Sequence, residues 1–245
     1  MDDRIRSAIV TGGSRGIGAA IAERLARDGL CVTVNYVGNQ QAAEDTVARI
    51  EAAGGRAIAV KADVSDPAEV KALFDRTEAE FGGIDVLVNN AGIMTLQTIA
   101  ETDPDSVDAM IGINFKGCIN TMREAANRMR DGGRIVNLST SVVGTRFERY
   151  GVYAAIKAGI ETMTGILSKE MRGRQITVNA VAPGPTETEL FLKGKSEEFI
   201  QKLAMASPLE RLGQPEDIAN AVAFLVGDEG KWINGQTLRA NGGLV

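Results

Sequence analysis

Short runs of consecutive apolar residues alternate along the chain with longer stretches in which apolar positions recur every three or four residues. The short runs, at 8–10, 32–35, 57–60, 86–89, 135–138, 176–180 and 237–240, read as strands. Amphipathic helical patterns at 17–28, 41–53, 67–81, 105–129 and 153–171 separate the first six of them. Strand–helix–strand alternation predicts right-handed crossovers and a doubly wound parallel α/β sheet of about seven strands, helices on both faces. No linker or composition shift interrupts the pattern, so residues 1–245 read as a single domain. In such a sheet, ligands bind beyond the carboxyl ends of the strands, near the point where strand order reverses. The segments with unusual chemistry fall at those ends: 11–18 after the first strand, 89–92 after the fourth, 139–141 after the fifth and 183–188 after the sixth.

Composition narrows the chemistry. The chain has no histidine, which excludes an imidazole base, a Ser-His-Asp triad and a histidine-ligated metal. A net charge of −5 argues against a nucleic-acid partner, and Arg123, Arg128 and Arg130 read as a solvated helix face or a subunit contact. Cys31 and Cys118 stand far apart with no metal-ligand spacing and read as buried free thiols. Met1-Asp2-Asp3-Arg4-Ile5-Arg6 leads straight into the first strand without the apolar core of a signal peptide. No apolar run approaches the ~20 residues of a membrane span. These features predict a cytoplasmic protein with no membrane partner.

Two motifs carry chemistry. Gly12, Gly16 and Gly18 follow a strand and open a helix, where glycine lets the backbone approach a pyrophosphate and the helix N-terminus offers free N–H groups. Tyr153 and Lys157 lie one helical turn apart and share a face. A free tyrosine has a pKa near ~10. A nearby ammonium is expected to lower it, making Tyr153 a usable general acid or base. The second strand ends Thr33-Val34-Asn35-Tyr36 without the acid that would hold a ribose 2′-hydroxyl. Arg15 in the glycine loop could donate to a 2′-phosphate. Asn35 and Tyr36 would then face that end of the cofactor, and NADP(H) is preferred over NAD(H).

Taken in order, Thr11-Gly12-x3-Gly16-x-Gly18, Asn89-Asn90-Ala91-Gly92, Tyr153-x3-Lys157 and Pro183-Gly184 resemble the short-chain dehydrogenase/reductases over essentially the whole chain. Asp63-Val64, Asn114, Asn234-Gly235-Gln236 and Gly242-Gly243 fit as well. Through Ser14-Arg15-Gly16-Ile17-Gly18 and Ile176-Thr177-Val178-Asn179 the chain looks closest to the 3-oxoacyl-carrier-protein reductase branch. The resemblance implies a Rossmann fold and an NADP(H)-dependent reduction of a ketone, with a 3-oxoacyl thioester among the candidates. It also implies a homotetramer. Alternatives are an alcohol or sugar dehydrogenase working oxidatively and a non-catalytic NADP(H)-binding regulator, which would not need the full catalytic set.

That set, by resemblance, is Asn114, Ser141, Tyr153 and Lys157. Tyr153 would give the proton, Lys157 would hold the nicotinamide ribose, and Asn114 would hold a local helix distortion and a water linked to the lysine. Asp63 and Val64 would flank the adenine, and Asn90, Ala91 and Gly92 would pass beneath the ribose. Pro183, Gly184, Thr186 and Thr188 would line the nicotinamide side. The family serine usually stands thirteen residues before the tyrosine, which here is Thr140. Ser141 is preferred because it directly precedes Val142-Val143-Gly144, which leaves the following loop one residue short; Ser139 is the runner-up. Met94, Val143, residues 145–150 and a lid at 187–196 are expected around the substrate. Arg174 fits a carrier-docking position but Asp131 replaces the expected basic residue, which makes an acyl carrier protein a doubtful partner.

Overall fold

Each apolar run becomes a strand. The computed structural model describes residues 5–192 and 194–245; of the expected N-terminal lead-in, residues 1–4 lie outside these, as does Lys193 of the expected lid. Strands β1 (Ser7–Val10), β2 (Cys31–Tyr36), β3 (Arg56–Lys61), β4 (Val86–Asn89), β5 (Arg134–Leu138), β6 (Thr177–Pro183) and β7 (Thr237–Ala240) form one sheet. Its order is β3-β2-β1-β4-β5-β6-β7, and every neighbouring pair is parallel. The order reverses between β1 and β4, whose carboxyl ends therefore open a crevice between them.

The central strands are buried from end to end, as helices on both faces require. The edge strands β3 and β7 instead expose Arg56, Lys61, Leu238 and Arg239, and the charges discourage further strand pairing. Side chains alternate between two cores. Ala8, Val10, Val86, Val88 and Val136 pack on one face under α1 (Gly16–Arg27) and α2 (Gln40–Ala52). Ile9, Leu87, Ile135 and Val178 pack on the other, under α3 (Pro67–Phe81) and the long helices that follow β4 and β5.

Three departures from the sequence pattern matter. The expected helix at 105–129 is α4 (Pro104–Met110) and α5 (Gly117–Arg128), joined by a π-helical segment at Ile111–Lys116 that carries Asn114. The sixth strand runs on to Pro183, further than the apolar run suggested. After α6 (Val142–Thr145), α7 (Gly151–Glu170), α8 (Glu189–Leu192) and α9 (Glu197–Ala206) comes α10 (Pro215–Val226), which the sequence reading did not single out. Its buried face, Ile218, Ala219, Val222, Leu225 and Val226, completes the core beside α1.

Candidate active site

The glycine loop is held open by its neighbours. Thr11 Oγ1 accepts from the backbone N–H groups of Asn90 and Ala91, both at 3.0 Å. Asn90 Nδ2 returns two bonds of 3.0 Å to the carbonyls of Thr11 and Gly12. A Cβ on Gly18 would run into the Gly12 carbonyl oxygen and Asn90 Nδ2, and Gly16 has φ +53, a left-handed conformation that suits glycine. Helices α2, α3, α4 and α9 are capped by the side chains of Asn39, Asp66, Asp103 and Ser196. In contrast, α1 follows Arg15, which provides no side-chain cap, and has no acid in its first turn. Its first N–H groups and partial positive charge face the cleft, a fit for a phosphate.

That cleft has a volume of about 510 Å³. The residues expected to hold a dinucleotide from its phosphates to the adenosine line it: Gly12, Ser14, Arg15, Gly16, Ile17, Gly18, Asn35, Tyr36, Asp63, Val64, Asn90, Ala91 and Gly92. It shares Ile17, Asn90, Gly92, Ile93 and Thr188 with a second cavity of about 170 Å³. Tyr153, Lys157, Pro183, Gly184, Thr186 and Thr188 line this second cavity, together with Ser139, Thr140 and Ser141. A long bound molecule can therefore reach from the glycine loop to the tyrosine without leaving the groove.

At the reactive end, Lys157 is 4% exposed and its Nζ donates to the Leu138 carbonyl at 2.6 Å. The same Nζ lies 5.8 Å from the Tyr153 ring centroid. Burial lowers the ammonium to about 8 and pushes the Tyr153 phenol up to about 12, with Tyr150 adding to the rise. Burial also drives the Cys118 thiol to about 12, so no thiolate is on hand at neutral pH. Asn114, 1% exposed, gives both amide atoms to Ile93: Oδ1 accepts from its N–H and Nδ2 donates to its carbonyl, each at 2.8 Å. Asn114 thus pins a residue that lines both cavities.

The family model described as enoyl-(acyl carrier protein) reductase matches residues 12–245. The "Short-chain type dehydrogenase/reductase" of Picea abies is 47% identical, covering 98% of this chain and 92% of its own length. "NADPH-dependent aldehyde reductase 2, chloroplastic" of Arabidopsis thaliana is 46% identical over 98% and 94%. The chain is a short-chain dehydrogenase/reductase. Among solved structures, a short-chain dehydrogenase from Burkholderia cenocepacia in complex with NADP superposes with a TM-score of 0.92. It is 40% identical, with 98% of each chain covered.

In this short-chain dehydrogenase/reductase, several sequence expectations are refined. Asn35 lines the cleft but is 2% exposed and committed to the backbone. Its Oδ1 accepts from Gly12 N at 3.2 Å and its Nδ2 donates to the carbonyls of Ala62 at 2.9 Å and Val60 at 3.3 Å. It ties the loop to the sheet, leaving Tyr36 and residues 37–39 as the strand-end lining. The Lys157 ammonium does not lower the Tyr153 phenol as expected, because burial dominates and the ammonium is turned to Leu138. Val143 does not line the substrate cavity; the turn of α6 presents Val142 and Thr145 instead. The charged loop 145–150 offers Phe147 and Tyr150 to the cavity. Arg146, at φ +54, and Arg149, at φ +71, are exposed. Of the lid, Thr188 and Phe191 reach the cavity; Leu203 from α9 and Leu244 were not anticipated. Nothing in their local sequence marks them, since each is an apolar residue brought in from a distant segment.

Proposed function

We propose that this single-domain enzyme is a carbonyl reductase that prefers NADPH to NADH and reduces a ketone to a secondary alcohol. The observation that carries this reading is that the apolar chamber lined by Tyr153 and Lys157 adjoins the glycine-loop cleft through Ile17, Asn90, Gly92, Ile93 and Thr188. When bound, the cofactor would supply a hydride to the carbonyl carbon. Tyr153, kept protonated at neutral pH by burial, gives its proton to the carbonyl oxygen. Lys157 orients the nicotinamide ribose, and Asn114 fixes Ile93 beneath it. Gly12, Ser14, Gly16, Ile17 and Gly18 take the pyrophosphate, Asp63 and Val64 the adenine, and Asn90, Ala91 and Gly92 the adjacent ribose. Pro183, Gly184, Thr186 and Thr188 border the nicotinamide. Arg15, 71% exposed at the cleft, supplies the cation for a 2′-phosphate, and Tyr36, Val37, Gly38 and Asn39 bring no carboxylate to that end.

The chamber walls, including Ile93, Met94, Phe147, Tyr150, Phe191 and Leu203, suit an apolar or aromatic carbonyl compound. Carrier-protein docking has less support. Arg174 pairs with Asp131 at 2.9 Å and donates to the carbonyls of Ala126 and Met129, so its charge is already engaged within the chain. The same reading places the enzyme in the cytoplasm as a homotetramer, with exposed Ile119 of α5 and Ile166 of α7 available for subunit contact.

The test is NADPH and NADH oxidation by purified protein against ketones, aldehydes, diketones and acetoacetyl thioesters. Tyr153→Phe is expected to lose roughly 10²- to 10⁴-fold in turnover while NADPH fluorescence on binding is kept. Ketone reduction that survives Tyr153→Phe undiminished would refute the assignment.

A further inference from the structure

The turn that follows β7, Asn241-Gly242-Gly243, sends a side chain back to the end of β5. Asn241 Nδ2 donates to Ser141 Oγ at 3.0 Å and to the Val245 carbonyl at 3.1 Å, and its Oδ1 accepts from Gly243 N at 3.0 Å. A main-chain N–H can only donate and a carbonyl can only accept, so these two partners fix which way the amide faces. The atom turned to Ser141 is therefore an obligate donor. Ser141, 3% exposed and lining the chamber with Tyr153 and Lys157, receives on that side and must send its own proton elsewhere. Here the proton goes to the Ala182 carbonyl at 3.1 Å.

The backbone around this contact is built for close approach. Ser141 N donates to the Pro183 carbonyl at 2.9 Å and Gly184 N to the Ala240 carbonyl at 3.0 Å, which draws the ends of β5, β6 and β7 together. A Cβ on Gly184 would stand 2.9 Å from Asn241 Cα, so a side chain there would push the asparagine away. Gly242, at φ +64, leaves room for Ser207, whose Oγ donates to the Gly242 carbonyl at 2.8 Å. The turn is held from both sides, and Asn241 with it.

We propose that Asn241 is a positioning residue that makes Ser141 a one-way hydrogen-bond donor towards the substrate carbonyl oxygen; the assignment rests on the carbonyl-reductase reading above, in which Ser141 supplies that hydroxyl. A serine hydroxyl by itself can donate or accept. With its oxygen receiving from Asn241, a substrate carbonyl entering the chamber competes only with the Ala182 carbonyl for the Ser141 proton. The amide also polarises the O–H bond, so the chain from Asn241 through Ser141 strengthens as negative charge develops on the substrate oxygen. Ser141 keeps its proton throughout, and Tyr153 supplies the one that completes the alcohol. The rival role is purely structural, since the same amide holds the Val245 carbonyl and with it the segment that sets Leu244 in the chamber wall. A loosened wall changes KM, whereas a misdirected hydroxyl changes kcat.

The experiment compares kcat and KM for Asn241→Ala, Asn241→Asp, Ser141→Ala and the two Asn241 changes combined with Ser141→Ala, on a carbonyl compound that the wild type reduces. NADPH fluorescence and a thermal melt report cofactor binding and fold for each variant. Asn241→Ala is expected to lower kcat about 5- to 10-fold. Asn241→Asp keeps the shape and the bond from Gly243 N, but its carboxylate accepts the Ser141 proton. It should therefore fall below alanine, towards the roughly 10²-fold loss of Ser141→Ala. In the Ser141→Ala background, neither change at Asn241 should lower kcat further. The proposal is overturned if Asn241→Asp turns over faster than Asn241→Ala, or if the Asn241 losses multiply with that of Ser141→Ala; either marks a residue that only holds the turn. A wild type that binds NADPH but reduces no carbonyl compound removes the underlying reading, and this role with it.

Discussion

The two halves of the groove are built on different principles. The phosphate loop of the cofactor half is held by bonds to its backbone: Thr11, Asn35 and Asn90 commit their side chains to main-chain groups rather than to solvent. The substrate half is walled by side chains from well-separated segments: Met94, Phe147, Tyr150, Phe191, Leu203 and Leu244. Backbone bonding fixes one geometry, because each bond restrains a main-chain atom that any residue would carry. Apolar walls fix only volume, and volume-conserving changes there are tolerated best. The comparison teaches that one cofactor half can serve many substrates, with specificity adjusted in the other half without disturbing the phosphate loop.

The sharpest way to break that contrast is Gly18→Ala. Its Cβ meets the Gly12 carbonyl, so the loop must shift, at a cost of about 1–3 kcal/mol. For a chain of this length each kcal/mol lowers Tm by about 2–4 °C. NADPH binding should weaken by roughly one to two orders of magnitude, whichever carbonyl compound is supplied, whereas Leu244→Ala should keep NADPH affinity and change only the ranking of substrates by KM. Titration of NADPH fluorescence and a thermal melt check both, and wild-type affinity in Gly18→Ala would end the distinction.

A smaller effect should appear with pH. Because burial lowers Lys157 to about 8, its ammonium is present below that pH and is lost above it. Reduction that depends on this charge should therefore hold level at lower pH and decline as pH rises through about 8. Stability should move the other way. The ordinary value of 10.5 means the unfolded chain holds the proton that the folded chain releases between about 8 and 10.5, so this group's contribution to stability rises across the window. A rate that falls while the melting temperature does not would separate ammonium loss from unfolding; a flat rate profile would show that the charge is dispensable.

The sequence made the cofactor half more legible than the substrate half, for the same physical reason. Glycine at positions 12 and 18 is dictated by close backbone approach and at 16 by a left-handed backbone, and local spacing records all three. The five central strands were visible because strands buried on both faces are largely apolar, and the edge strands β3 and β7 by their shorter apolar runs. Asn35 was visible as a polar strand end, but only the packed structure shows its amide committed to Gly12 and Ala62. The π-helical segment around Asn114 has the same apolar periodicity as the helix on either side, so the pattern at 105–129 appeared uninterrupted. Leu203 and Leu244 reach the cavity only through tertiary packing. The lowering of Tyr153 foreseen from its helical neighbour failed because spacing along a helix gives proximity, not burial, and burial decided the sign.

Cofactor choice is the place where the two halves touch, and it should give the smallest measurable effects. Arg15 Nη1 lies 3.2 Å from Glu189 Oε2, bridging the glycine loop to the start of α8 beside the substrate chamber. Both side chains are mostly exposed, at 71% and 78%, so water screens the pair and it contributes little to the fold. A 2′-phosphate would compete with Glu189 for the guanidinium and would win, being more highly charged and richer in acceptors. Arg15→Ala is therefore expected to raise KM for NADPH by about tenfold while leaving NADH nearly unchanged, which narrows the ratio of kcat/KM for the two cofactors. Glu189→Gln should act in the opposite sense and more weakly, improving NADPH by about twofold through release of Arg15 from an exposed pair. Equal effects of Arg15→Ala on both cofactors would show that the residue steadies the loop and does not read the phosphate, and the preference would then have to come from Tyr36 and the segment 37–39.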